Sequence, residues 1–368
     1  RSHLNICPKG ANISHAQSAY FTAAKRRFHT AASPPYFTAA RSAAKGGFPL
    51  YLETISSPSG AQLAELAAFL STQGLSLDEA PEFTAVMTER GEIAAAASLC
   101  GDVVKYFAVD FEHRGGGVSG ALLTEIRKYA FQKGVRRLYL VTKPENRALF
   151  EGLLFGEVAA SKSSVLMESP PGGIDEFLST VRCSSAAPPV GAVVMNANPF
   201  TKGHRRLIEI AAAECGFVYV FVLSEEKSEF SAAERLAAVR RGTADLPNVG
   251  VFPTERYLVS AATFPAYFLK DKSRAAQAFC ELDIAVFTGR LAPALGITRR
   301  YVGTEPFCST TAAYNAAMAA ALPAAGCELV TVPRLEIGGE PVSASRVRAL
   351  LAEGRNEEAR ELMYCDIT

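Results

Sequence analysis

The run Val190-Gly191-Ala192-Val193-Val194-Met195 is followed at once by Asn196-Ala197-Asn198-Pro199-Phe200 and then by Thr201-Lys202-Gly203-His204. Six apolar or small residues in a row read as a strand buried on both faces, which places it in a parallel sheet. Asn198-Pro199 is a turn signal, and Leu207, Ile208 and Ala211 recur at helical spacing behind His204. A strand that turns directly into a helix presents unpaired N–H groups and the positive end of the helix dipole at the turn, which suits phosphate. Thr201 and His204 fall at that place, and Gly203 lets backbone and ligand approach closely. Without a ligand, the same stretch is a helix start carrying one hydroxyl and one surface histidine.

The length of 368 residues suits two or three domains with ample core. No uninterrupted apolar run approaches the ~18 residues of a membrane span, so no membrane partner is expected. Residues 1–52 carry seven Lys/Arg and no acid, leaving 31 basic against 37 acidic side chains in the remainder. A mildly acidic body argues against a nucleic-acid partner. Eight cysteines lie scattered without a Cys-x-x-Cys pair, the pattern of reduced thiols in a cytoplasmic protein. Three of the five histidines fall in the N-terminal segment, leaving His113 and His204 in the body. That excludes a His-rich metal site, and no protein-held metal is expected.

Residues 1–47 are Ala/Ser-rich and acid-free, with a short repeat at Tyr20–Ala24 and Tyr36–Ala40. Their composition fits a transit peptide or sequence foreign to the working protein, and disorder is expected. Residues 48–168 read as a first α/β domain. A helix over Ala61–Leu70 precedes strands at Phe83–Met87, Ile93–Leu99 and Val103–Val109. Next come Arg114-Gly115-Gly116-Gly117-Val118-Ser119-Gly120 opening an amphipathic helix, a strand at Arg137–Val141, and Asn146 at a second helix start. Glu112 and Tyr129 are candidate general bases by residue type alone; each reads equally as a solvated or half-buried side chain. Residues 169–189, rich in Pro, Gly and Ser and bracketing a short helix at Ile174–Val181, read as a linker.

Residues 190–368 alternate strand and helix, as a parallel sheet requires. Strands are expected at Phe217–Leu223, Val249–Phe252, Ile284–Phe287, Arg300–Val302 and Leu329–Val332, with helices at Thr263–Leu269 and Thr310–Ala321. A further helix at Ser231–Arg241 carries Ser231 and Glu234 at capping-box spacing. Val342-Ser343-Ala344-Ser345-Arg346-Val347-Arg348 opens a last helix, where Ser343 and Ser345 offer hydroxyls at a second helix start and Arg348 stands one turn on. Lys202 and Arg205 are expected at the surface.

Thr201-x-Gly203-His204 resembles the nucleotidyltransferase signature His-x-Gly-His, and Ser343-x-Ser345-x-x-Arg348 resembles its second signature. The Arg114–Gly120 loop between strand and helix looks like the coenzyme A pyrophosphate loop of GCN5-related acetyltransferases. Together with Met195–Thr201, Ala262–Phe268, Tyr301–Cys308 and Pro341–Ser345, this order of domains resembles the citrate lyase ligase family. The resemblance implies an α/β fold: an acetyltransferase-like domain followed by a Rossmann-like parallel-sheet nucleotidyltransferase domain. It implies an ATP-dependent ligase that uses ATP with Mg²⁺ to join acetate to a thiol through acetyl adenylate. The thiol belongs to a phosphoribosyl-dephospho-CoA arm on the acyl carrier subunit of citrate lyase. His204, Thr201 and Arg348 would then be catalytic. Asn198, Pro199, Phe200, Gly203, Gly303, Thr304, Glu305, Ser343 and Ser345 would bind ATP, although Glu305 reads equally as a solvated loop acid. Arg114, Gly115, Gly117, Ser119 and Asn146 would bind the CoA-like arm. Cys308 reads as a buried structural thiol. Alternatives with the same apparatus are an adenylyltransferase acting on a phosphorylated coenzyme precursor and a nucleotide-binding module without turnover.

Overall fold

The computed structural model describes residues 49–225, 228–258, 272–305 and 309–365. The expectations for residues 1–47, Thr263–Leu269, Ala262–Phe268 and Pro306–Cys308 lie outside the described residues.

The first half of the described chain forms a seven-stranded sheet. Its strands are β1 (Tyr51–Ser56), β2 (Phe83–Glu89), β3 (Glu92–Cys100), β4 (Val103–Val109), β5 (Leu138–Thr142), β6 (Gly156–Ala160) and β7 (Val165–Ser169), in the order β1-β2-β3-β4-β5-β7-β6. Helices α1 (Gly60–Thr72) and α2 (Val118–Gln132) cover its two faces, and the short α3 (Arg147–Gly152) follows β5. Alternation sorts the side chains. Phe83, Ala85 and Met87 of β2 pack toward Leu122, Leu123 and Ile126 of α2, while Val86 and Ala96 join Leu66, Phe69 and Leu70 of α1. Neighbouring strands run antiparallel except β4 and β5, which are parallel and bridge at Val103–Tyr139 before parting. Their divergence opens a cavity of about 500 Å³ between the C-terminal ends of the two strands.

The second sheet comprises β8 (Val190–Met195), β9 (Phe217–Val222), β10 (Val249–Pro253), β11 (Ile297–Gly303) and β12 (Glu328–Val332), in the order β10-β9-β8-β11-β12 and parallel throughout. Six consecutive buried residues in β9 and five of six in β8 give these central strands the continuous apolar run that burial on both faces demands. Helices α5 (Lys202–Glu214) and α6 (Ala232–Arg241) cover one face; α7 (Lys272–Val286), α8 (Ala292–Leu295) and α9 (Ser309–Ala321) cover the other. The chain fills β8, β9 and β10 outward, then returns to lay β11 on the opposite side of β8. Strand order therefore reverses between β8 and β11, the place where such sheets open a crevice beyond their strand ends. Past β12, a small hairpin (β13, Glu336–Ile337; β14, Glu340–Pro341) turns at Gly338-Gly339, both with positive φ. It leads into α10 (Ala344–Ala352) and α11 (Asn356–Leu362).

The strand expected at Ile284–Phe287 is helical, closing α7 and running on through a wide turn at Phe287–Leu291. Ala278, Leu282 and Val286 recur every four residues and form a buried stripe, so the β-branched composition of the segment yields to helical packing.

Between the two sheets, α4 (Gly173–Val181) has Ile174, Phe177, Leu178 and Val181 all buried in one core shared by both sheets. Polar ties cross the same join. Arg256 Nε donates to Asp102 Oδ2 at 2.7 Å, Arg290 Nη1 donates to the Val158 carbonyl at 3.2 Å, and the Tyr257 hydroxyl donates to Glu168 Oε2 at 2.8 Å. Glu168 is itself buried and accepts the Ile174 N–H at 3.1 Å. Among the described residues, no helix is long and apolar enough to cross a membrane. Tyr257→Phe leaves the buried Glu168 carboxylate short of one donor and should lower the unfolding free energy by about 1–3 kcal/mol. Urea denaturation measures this, and an unchanged midpoint would show that the bond contributes nothing to the join.

Candidate active site

The β8–α5 turn is built by short-range hydrogen bonding. Thr201 is the N-cap of α5: its Oγ1 accepts the His204 N–H at 3.3 Å, while its own N–H donates to His204 Nδ1 at 3.1 Å. This is a capping box with histidine in the place usually taken by Glu or Gln. Because Nδ1 accepts a backbone N–H, the neutral ring carries its proton on Nε2. Burial, joined by the positive charge of Arg334, holds the His204 pKa down at about 4. The imidazole is therefore a neutral, orientationally fixed donor at ordinary pH. Phe200, fully buried, stacks nearly parallel to it with ring centroids 6.0 Å apart.

A second helix tip meets the first. Ser343 caps α10, accepting the Arg346 N–H at 3.2 Å. A Cβ on Gly203 would stand 3.3 Å from the Val342 carbonyl oxygen, so glycine permits this approach. Arg348 joins the tips: Nη1 donates to the Asn198 carbonyl at 2.5 Å and Nη2 to Ser345 Oγ at 3.2 Å. Both tips border a cleft of about 440 Å³ at the strand-order reversal.

Of the residues singled out from sequence, Thr201, Gly203, His204, Gly303, Glu305, Ser343 and Ser345 line this cleft. Asn198, Pro199, Phe200, Thr304 and Arg348 do not line it. Asn198 Oδ1 accepts the Phe230 N–H at 3.2 Å, and the Thr304 N–H donates to the Val332 carbonyl at 2.9 Å, extending the sheet. Arg205, expected at the surface, is buried: it forms a two-pronged pair with Asp245 at 2.7 Å and bonds Glu209 at 2.7 Å. Asp245 lies 40 residues along the chain, too far for local spacing to reveal the pair.

Sequence reading missed Arg334 and Arg300, which also line the cleft. Arg334 stands two residues past the end of β12; its Nε donates to the Thr304 carbonyl at 2.7 Å and its guanidinium pairs with Glu305. An arginine at the carboxyl end of a predicted parallel strand was the signal available for it. Arg235 was also missed. Fully buried, it donates to the carbonyls of Asn196 (2.9 Å), Leu223 (2.8 Å) and Phe230 (3.1 Å), pinning the turn to the end of β9.

In the first sheet, Arg114, Gly115, Ser119 and Asn146 line the cavity between β4 and β5. Gly117 is instead the N-cap of α2, with φ of 80°. Asn146 Nδ2 donates to Thr142 Oγ1 at 3.1 Å. Glu112 is exposed and Tyr129 stacks on Phe83 at 4.2 Å; neither borders the cavity.

Comparison with known proteins follows this division. Residues 190–365 match the citrate lyase ligase C-terminal domain, and residues 53–151 match the acetyltransferase (GNAT) family. Citrate pro-3S-lyase ligase of Escherichia coli K12 is 38% identical over 299 residues, covering 79% of this chain and 85% of the relative. The Klebsiella pneumoniae protein of that name is 39% identical over 79% of this chain and 86% of its own length, and the Haemophilus influenzae one 36% over 79% and 90%. The chain belongs to the citrate lyase ligase family. As a citrate lyase ligase family member it is an enzyme, and its α/β fold pairs an acetyltransferase-like domain with a parallel-sheet nucleotidyltransferase-like domain.

The histidine's protonation is directly testable. Its lowered pKa means the unfolded chain binds the proton first as pH falls, so this group's contribution to stability is present above about 6.5 and is lost between there and about 4. Nitrogen-15 NMR of labelled histidine should show His204 as the Nε2–H tautomer down to pH ~5. A midpoint near the ordinary histidine value would contradict the assignment.

Proposed function

We propose that this chain is an ATP-dependent acid–thiol ligase. It acetylates the thiol of the phosphoribosyl-dephospho-CoA arm on the acyl carrier subunit of citrate lyase, and so activates that enzyme. The observation that carries this reading is the convergence of two helix N-termini and a neutral imidazole donor on one cleft.

In the first half-reaction, a carboxylate oxygen of acetate attacks the α-phosphorus of ATP in line. The new O–P bond forms as the bond to the bridging oxygen breaks, and pyrophosphate leaves with the electron pair. In the second, the thiol sulfur attacks the acetyl carbonyl carbon; AMP leaves, and the thiol proton passes to water. Both steps move negative charge rather than redistribute protein bonds, so fixed donors and positioning supply the catalysis. His204 Nε2–H donates to the phosphoryl oxygen whose charge grows. Thr201 fixes that ring, and the N–H groups about Gly203 assist. Ser343 and Ser345, at the second tip, hold the β- and γ-phosphates, with Arg334 adding positive charge. Arg348 acts through the Asn198 carbonyl and Ser345, keeping the tips in register. Gly303 and Glu305 border the side where the nucleoside is read. Mg²⁺ would arrive with the triphosphate as part of the substrate and would neutralise part of its charge. The cavity between β4 and β5, with Arg114, Gly115, Ser119 and Asn146 on its wall and Gly117 at the α2 cap, docks the CoA-like arm rather than acetyl-CoA.

ATP–pyrophosphate exchange tests the chemistry and should require acetate. His204→Gln retains a capping-box side chain while removing the imidazole, and should cut exchange by about 10²–10³ with thermal unfolding little changed. Undiminished exchange would remove His204 from the mechanism. The docking role is tested on the whole chain: dephospho-CoA should bind saturably, and Arg114→Glu should weaken it by about tenfold or more, the scale of one charge-assisted contact. Absence of binding by the unaltered protein would eliminate that role.

A further inference from the structure

The cleft reaches past the helix tips into the space between β11 and α9. Arg300 lies there at the middle of the sheet, opposite Ala192 of β8 and Leu329 of β12, with 2% of its surface exposed. The next residue, Tyr301, points to the other face, where its hydroxyl donates to Glu214 at 2.8 Å. Strand alternation thus puts Arg300 and Val302 on the α9 side, with Tyr314 and Met318 one helical turn apart beside them on the cleft wall.

Arg300 is a buried cation with incomplete partnership. Its guanidinium stacks over the Phe287 ring, 4.3 Å from the centroid, and Nη2 donates to the Tyr314 hydroxyl at 3.3 Å. That hydroxyl in turn donates to the buried Asp283. Among the described residues, Nε and Nη1 are shielded from solvent with no hydrogen-bond partner, and Arg300 forms no ion pair with a carboxylate. Unpaired N–H groups on a buried charge are costly, and an anion that completes them is correspondingly favoured. The phosphates are served by the helix tips at the strand ends. The position of Arg300 within the sheet, against Phe287, Val302 and Met318, suits a charged head with a short apolar tail.

We infer that Arg300 binds the carboxylate of the acid substrate, and that Tyr314 and Met318 form the wall that restricts its alkyl group. This rests on the adenylation reading above. Adenylation consumes the carboxylate's charge, so Arg300 binds the ground state more than the transition state, and its loss falls mainly on KM for the acid. Arg300 changes no bonds itself.

The test uses the whole chain in ATP–pyrophosphate exchange. Arg300→Gln should raise KM for acetate by about 30-fold or more, as removal of charge-assisted hydrogen bonds predicts, with KM for ATP changed less than about threefold and kcat much less affected than KM. Arg300→Lys should recover part of the loss. Met318→Ala should raise the propionate-to-acetate ratio of kcat/KM by about tenfold. An unchanged acetate KM in folded Arg300→Gln, or equal losses for ATP and acetate, overturns the carboxylate site. If Arg300→Gln does not fold, Met318→Ala decides: unchanged acid selectivity overturns the inference, and a shift toward propionate supports it. Exchange by the unaltered protein that ignores acetate refutes the adenylation reading instead, a separate failure.

Discussion

The cleft exists because two positive helix ends are forced together. Gly203 brings the first turn of α5 against the Val342 carbonyl, and Arg348 reaches from α10 to the Asn198 carbonyl in the turn that precedes α5. Both helix N-termini carry partial positive charge, and His204, Arg300 and Arg334 line the same space. Such an arrangement opposes itself electrostatically. Glu305 offsets part of it by pairing with Arg334. His204 avoids adding to it by staying neutral, since partial desolvation and then the neighbouring Arg334 charge disfavour protonation. On the adenylation reading, a polyanion relieves the remaining imbalance, so the repulsion among these groups favours its binding.

Arginines show how one residue type is assigned different work by its surroundings. Arg235 lies wholly inside and spends its guanidinium on backbone carbonyls at the ends of β8 and β9. Arg205 is locked to Asp245 in a two-pronged pair and bonds the Gly242 carbonyl where α6 ends. Arg348 ties one loop to another. None of these borders the cleft, whereas Arg300 and Arg334 do. The planar fork suits carbonyls, carboxylates and phosphates alike, and partners distant in sequence decide among them.

This explains what could be read beforehand. The central strands were legible because burial on both faces writes an uninterrupted apolar run, as in Val190–Met195 and Phe217–Val222. The box at Ser231 and Glu234 was legible because both partners lie within one turn. His204 stood out in the sequence and lies on the cleft wall, but its capping role was not legible, since histidine is an unusual third residue of that motif. Ile284–Phe287 misled because its three β-favouring residues, Ile284, Val286 and Phe287, are too few to reveal a helical stripe that begins at Ala278. Strands β6 and β7 escaped notice. Gly156–Ala160 is short and partly polar, and the sheet supplies the order that its own propensity lacks. Arg300 and Arg334 needed the strand order before their shared cleft could be seen.

The two sheets do not merely follow one another along the chain. Residues 173–181 lie between them with Ile174, Phe177, Leu178 and Val181 in the common core, and Tyr257 and Arg256 reach from the second sheet to Glu168 and Asp102 of the first. A hinge at this join would uncover those side chains at a cost of about 1.5–3 kcal/mol for each large apolar residue exposed. The join therefore acts as a fixed frame. On the adenylation reading, an acyl adenylate formed in one cleft must meet a thiol whose carrier arm docks in the other. A frame that resists bending assigns that travel to the arm, a long chain of rotatable bonds, and leaves the protein to hold its two ends.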